Sequence, residues 1–208
     1  AAYERLVPLG PNDAEPHGVL AFLRLRTDDL AGAGADITRG LAAAPGDPWL
    51  RTLQAELTRR QGKSEQAAIA ASALIAEGKP TSLLLRIRGF SRLALNLIDD
   101  ALADFTKATE VNPGDAAAWA GQAEAEKILR RYGDAVQHFT RALDIDGSFA
   151  GAYLGRANVH AARPDADAAE SDRAEALRID PGLASDVDKP GGWRLDNRLT
   201  LADLPFSS

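Results

Sequence analysis

Cysteine and methionine are absent from the chain. Without thiols there is no disulfide, no thiolate metal site and no Cys–His nucleophile. The compartment stays open, because a cysteine-free chain suits cytosol and periplasm alike. Aromatic residues are scarce at 6% while alanine is abundant. That balance favours closely packed helices over a β-sandwich, since alanine forms helix readily and is depleted in strands. Long hydrophobic runs are also missing: Arg, Asp or Gly interrupts each one well short of the roughly 20 residues that cross a bilayer, so no membrane insertion is expected. There is no basic excess either. The 24 Lys and Arg against 30 Asp and Glu give a net charge of −6, which repels phosphates and argues against general nucleic-acid binding. Neither a signal-peptide pattern nor an initiator Met opens the chain, so it reads as processed or as an excerpt of a longer protein. What is present, 45% hydrophobic and 26% charged residues, permits a buried core and disfavours wholesale disorder.

The prolines set a period. Pro11, Pro45, Pro113 and Pro181 are separated by multiples of 34 residues, and the two missing beats, Lys79 with Pro80 and Gly147, fall in turn sequences. Five units follow: 14–47, 48–81, 82–115, 116–149 and 150–183. Their eighth positions are Ala21, Ala55, Gly89, Ala123 and Ala157, and their twentieth are Ala33, Ala67, Ala101, Ala135 and Ala169. The twenty-seventh are Gly40, Leu74, Ala108, Ala142 and Ala176. Two short antiparallel helices approach closely only where small residues meet, which assigns the eighth and twentieth positions to the crossing. Large residues fill the space between pairs: Trp119 and Tyr153 at position four, Ile37, Phe105 and Phe139 at position twenty-four. Where proline stands at position thirty-two it ends the second helix, since it lacks an N–H and restrains its predecessor. First helices are expected near 14–26, 48–61, 82–95, 116–129 and 150–162. Second helices are expected near 29–43, 65–77, 98–111, 132–145 and 166–179.

The run Trp119–Ala123–Tyr132–Ala135–Phe139–Ala142, followed by Ile145–Asp146, resembles a tetratricopeptide (TPR) repeat, as does Gly89–Ala101–Phe105–Ala108–Pro113. The resemblance covers about residues 14–183 and implies an all-α fold: a right-handed α-solenoid of antiparallel helix pairs, five full repeats long, whose first helices line a concave face. The chain departs from the family pattern at position eleven, where the usual tyrosine is replaced by Arg24, Thr58, Arg92, Glu126 and His160, and at position twenty-four, where Ala71 and Arg173 replace an aromatic.

Carried backwards, the phase places Tyr3, Leu6, Val7 and Leu9 on second-helix positions. Residues 1–13 are therefore expected to be the second helix of a truncated upstream repeat. Residues 184–208 leave the pattern at Pro190-Gly191-Gly192, which interrupts a helix. Their Trp193, Leu195, Leu199, Leu201, Leu204 and Phe206 suit a cap on the last repeat. A segment occupying the groove, a docking peptide for another chain, and disorder are the alternatives.

No catalytic constellation emerges, and no cofactor or metal is implied. His17, His138 and His160 lie in different repeats without metal-site spacing. The glycines of 32–36 and 190–193 lack the context of a phosphate loop. Asp28-Asp29, Asp99-Asp100 and Asp165 with Asp167 fit helix starts, where acidic groups complement the dipole.

The groove is the remaining candidate. Inward positions of the first helices carry Phe22, Arg26, Leu53, Glu56, Arg59, Arg60, Arg86, Phe90, Glu124, Lys127 and Asn158. Arginines near aromatics suit a peptide bearing acidic and apolar side chains; the plainer reading makes those arginines solvated neighbours of carboxylates such as Glu56. On the first, Arg60→Glu with Arg86→Glu would abolish capture of an acidic partner with helical content intact. The carboxylate clamp with which TPR co-chaperones hold a terminal EEVD peptide is not matched, because Gly18, Phe22, Leu53, Leu83 and Ile87 stand at the clamp positions. The resemblance thus implies a non-catalytic scaffold that binds a protein or peptide. Two alternatives are the partner- or substrate-recruiting part of a larger enzyme whose catalytic domain lies outside this chain, and a self-assembly module that forms homo-oligomers through open repeat ends. The alanine- and arginine-rich composition reads as bacterial, and a cytoplasmic site is expected, with the periplasm open if the chain is an excerpt.

Overall fold

The computed structural model describes residues 14–78, 80–185, 199, 200 and 203. The expected half repeat at 1–13 and most of the expected cap at 184–208 lie outside the described residues. Ten α-helices run through the described part: α1 Ala14–Arg26, α2 Leu30–Ala43, α3 Pro48–Arg60, α4 Ser64–Glu77, α5 Ser82–Ala94, α6 Ile98–Val111, α7 Ala116–Ile128, α8 Tyr132–Ile145, α9 Ala150–Ala161 and α10 Ala166–Ile179, followed by a 3-10 turn at Pro181–Ser185. No strand occurs among the described residues. First helices begin at residues 14, 48, 82, 116 and 150, so the 34-residue period of the sequence is the period of the fold. Two compact units divide the chain. One holds α1 to α4 together with Leu199, Thr200 and Asp203; the other holds α5 to α10 and the 3-10 turn.

Turns explain the punctuation. Position fifteen of the first four repeats takes a left-handed conformation: φ is 61° at Asp28, 78° at Gly62, 60° at Asn96 and 60° at Arg130. Asp and Asn tolerate that region and glycine enters it freely, whereas arginine bears a steric penalty of about 1–2 kcal/mol. The fifth repeat has Pro164 at this position, whose ring forbids positive φ. The turn is rebuilt there, with the Asp165 N–H donating to the Arg163 carbonyl at 2.7 Å, and α9 is one residue shorter than its counterparts. Between repeats, position thirty-four caps the next first helix: Asp47, Thr81 and Asp115 accept from the backbone N–H of Leu50, Leu84 and Ala118. Phe149 stands at that place in the fourth repeat; it makes no side-chain cap and instead buries its ring. Asp29 and Asp165 cap α2 and α10, and Asp99 and Asp100 lie in the first turn of α6, which accounts for these acidic pairs.

The core of each unit is built at the crossings. Ala21, Ala55, Ala123 and Ala157 at position eight are at most 1% exposed, and Ala33, Ala67, Ala101, Ala135 and Ala169 at position twenty at most 4%. Between repeats the contact is an interlock of large on small. The Phe105 ring lies against Gly89 of its own repeat and Gly121 of the next, where a Cβ would overlap it. Phe139 lies against Gly155 in the same way, and Phe90 meets the Phe105 ring edge-on at 4.7 Å. In the first unit, Trp49 covers Gly18 and Leu50 covers Gly40.

Two substitutions should move stability in opposite directions. Gly155→Ala should lower the unfolding free energy by about 1–3 kcal/mol through overpacking against Phe139, whereas Arg130→Gly should raise it by about 1 kcal/mol by relieving the left-handed turn. Urea denaturation followed by circular dichroism measures both, and an unchanged midpoint for Gly155→Ala would contradict the interlock.

Candidate functional site

The repeat period brings positions seven and eleven of each first helix towards position twenty-three of its second helix. Buried aspartates occupy position twenty-three in the first, third and fifth repeats: Asp36, Asp104 and Asp172. Arg24 Nη1 lies 2.7 Å from Asp36 Oδ2, and His17 Nδ1 3.9 Å from Oδ1. Arg88 and Arg92 together grip Asp104, each with a 2.6 Å contact. Arg156 makes a two-pronged pair with Asp172 at 2.8 and 2.7 Å and donates to Thr140 at 2.9 Å. The fourth repeat reverses the polarity: Glu126 at position eleven lies 2.7 Å from His138 Nδ1 at position twenty-three, and the His138 ring stacks on Trp119 at 5.3 Å. His160 pairs with Asp165 at 3.1 Å. Each histidine therefore faces a carboxylate.

The inward positions carry a second set of pairs. In the first unit, Glu56 of α3 accepts from Arg59 Nε at 2.9 Å and Nη2 at 2.8 Å, and from Arg60 Nε at 2.7 Å. Arg60 also donates to the Leu25 carbonyl at 2.7 Å. Burial opposes the ionisation of Glu56, but the Arg59 and Arg60 guanidiniums outweigh it and hold the carboxyl below its usual range. Phe22 and Leu53 are fully buried, and Phe22 packs on Trp49 with ring centroids 6.4 Å apart. Arg26 is exposed. In the second unit, Arg86 reaches Asp115 at 3.2 Å, and Ser82 donates to the same carboxylate. Phe90 and Asn158 are half-buried, and Lys127 pairs with Glu124 at 2.7 Å.

A family model described as tetratricopeptide repeat matches residues 88–148 and 129–184. Residues 88–184 are tetratricopeptide repeats. Among solved structures, the thermophilic TPR protein TTC0263 of Thermus thermophilus aligns with a TM-score of 0.73 at 18% identity, over 84% of this chain and 94% of that one. YrrB, described as a TPR protein with an unusual peptide-binding site, gives 0.57 at 18% identity over 91% and 99%. MamA gives 0.59 at 15% identity over 78% and 95%. At these identities the likeness shows the fold alone. No curated protein matches the chain in sequence.

Three of the departures from the TPR pattern have a physical account. Where the family has a tyrosine at position eleven, this chain places Arg24 and Arg92 opposite an aspartate of the second helix and Glu126 opposite a histidine. Sequence reasoning missed Asp36, Asp104 and Asp172, although their spacing of two repeats was visible. Asp36 and its neighbours form ion pairs within a repeat, and no group of three or more His, Cys, Asp or Glu among the described residues could hold a metal ion. No helix of the described residues is long and apolar enough to cross a membrane.

One expectation needs correction. The arginines at positions 59, 60 and 86 do not ring the groove as open cations, because Glu56 and Asp115 hold them inside the protein. The Arg60→Glu, Arg86→Glu pair therefore cannot leave the fold undisturbed. Arg86→Glu sets two buried carboxylates against each other and should cost about 3–5 kcal/mol, read as a lower urea midpoint, whereas Arg26→Glu, on an exposed site, should leave the midpoint unchanged. Wild-type stability in Arg86→Glu would contradict the buried pair.

Proposed function

We propose that the chain is a non-catalytic scaffold that holds an extended segment of a partner protein against the first helices of its repeats. The observation that supports this most is exposed apolar side chains in the turn after α5 and at the carboxyl end of α7, in the second unit. Leu95, Leu97 and Ile128 are 40%, 47% and 46% exposed, and the half-buried Phe90 precedes them on α5. Apolar surface held in water on a rigid scaffold marks an interaction site, and an extended peptide buries it at little cost in reorganisation. The peptide-binding site of YrrB agrees in kind. The charges of Arg59, Arg60 and Arg86 are met internally, so they lend the partner no acidic preference.

The test is selection of a displayed random dodecapeptide library on the full chain, followed by fluorescence-polarisation titration of the enriched peptides. Leu95→Asp and Ile128→Asp, both at exposed sites, should each weaken binding by about tenfold, a loss of about 1.4 kcal/mol, with an unchanged circular dichroism spectrum. Enriched peptides that bind both variants as well as the parent would contradict this reading.

A further inference from the structure

Glu56 and Glu124 occupy the same place, position nine of a first helix, two repeats apart. Around Glu56 the residues three and four positions later are Arg59 and Arg60, and their guanidiniums satisfy both carboxylate oxygens. Around Glu124 the corresponding residues are Lys127 and Ile128. One ammonium thus replaces two guanidiniums. Lys127 Nζ pairs with Glu124 Oε1 at 2.7 Å, while Oε2 is buried and has no hydrogen-bond partner. Glu124 as a whole is 8% exposed. A carboxylate oxygen removed from water without a donor is costly, and it is relieved by any cation or N–H that reaches it.

We propose that Glu124 Oε2 receives an arginine or lysine side chain of the bound partner, in the place that the Arg60 guanidinium takes at Glu56. The surroundings suit such a ligand. Ile128, which stands where the second arginine would be, is 46% exposed and offers an apolar surface to the stem of a long basic side chain, which prefers to lie along such a surface. Phe90 and Asn158 stand at the same register on α5 and α9, whose neighbour in both cases is α7. A segment laid across the three helices would meet an aromatic face, then a carboxylate, then an amide. The partner so described is an extended peptide with a basic residue next to an apolar one. This inference rests on the peptide-binding reading above.

The experiment uses the same dodecapeptide library on the full chain. Enriched peptides should share one arginine or lysine, and replacing it with citrulline or norleucine should cost at least about tenfold in affinity. Glu124→Gln should lose that discrimination while still binding the apolar part. Ile128→Arg rebuilds the trio seen at Glu56; it should raise the thermal midpoint without any ligand and abolish binding of the basic peptides. Enriched peptides that carry no basic residue, yet are lost on Leu95→Asp, would overturn this inference and leave the groove reading standing. A library that yields no binder overturns both.

Discussion

Everything in this chain depends on how closely two helices can approach. At a helix crossing the separation is set by the side chains that meet there, and alanine or glycine permits the tightest contact. The buried alanines at positions eight and twenty meet that requirement in every repeat save the third, where Gly89 takes the first place. The gap left between pairs is then filled by a large ring seated on a glycine, as with Phe105 on Gly121 and Phe139 on Gly155. In these repeats the aromatic of one helix pair is received by the glycine of the next. The same side chains make both the fold of a repeat and its joint to its neighbour, so the period must be kept for the stack to form.

A tight crossing leaves little room for water, so any charge at its edge must find its partner within the protein. That is the origin of the second regularity, the pairing of the first helix with position twenty-three of the second. It takes two chemical forms. Arginine meets aspartate in the odd-numbered repeats, from position eleven in the first, from seven and eleven in the third and from seven in the fifth. Glutamate meets histidine in the fourth. The second repeat has no charges there, since Thr58 and Ala70 stand at positions eleven and twenty-three. The reversal in the fourth repeat shows that complementarity matters more than the identity of either residue. Arg59, Arg60 and Arg86 obey the same rule, and a spare acceptor remains at Glu124, where an apolar residue stands in the place of the second arginine.

The helices, their limits and the crossing residues were legible in the sequence because their causes are local. Proline stops a helix wherever it stands, Asp, Thr and Asn declare turns and caps by their own chemistry, and a small residue repeated in phase has few meanings. Even so, the Phe149 cap position and the Pro164 turn show local rules giving way to packing and ring geometry. The electrostatics were less legible. Arg59, Arg60 and Arg86 carry no mark that separates an open groove cation from a buried partner of Glu56 or Asp115, since an arginine stem reaches either way. Phe22 and Leu53 likewise have the composition of a contact surface and the burial of a core. Reading position twenty-three alongside the first helix would have exposed the ion pairs, because Asp36, Asp104 and Asp172 recur in phase.

Native-state hydrogen exchange on the chain carrying Phe139→Ala tests the central claim most directly. If each aromatic joins its repeat to the next, amides of α8, α9 and α10 should lose protection while α5 and α6 keep theirs. An equal loss from α5 through α10, or none anywhere, would show a single closed core rather than a stack of repeats and would contradict the account.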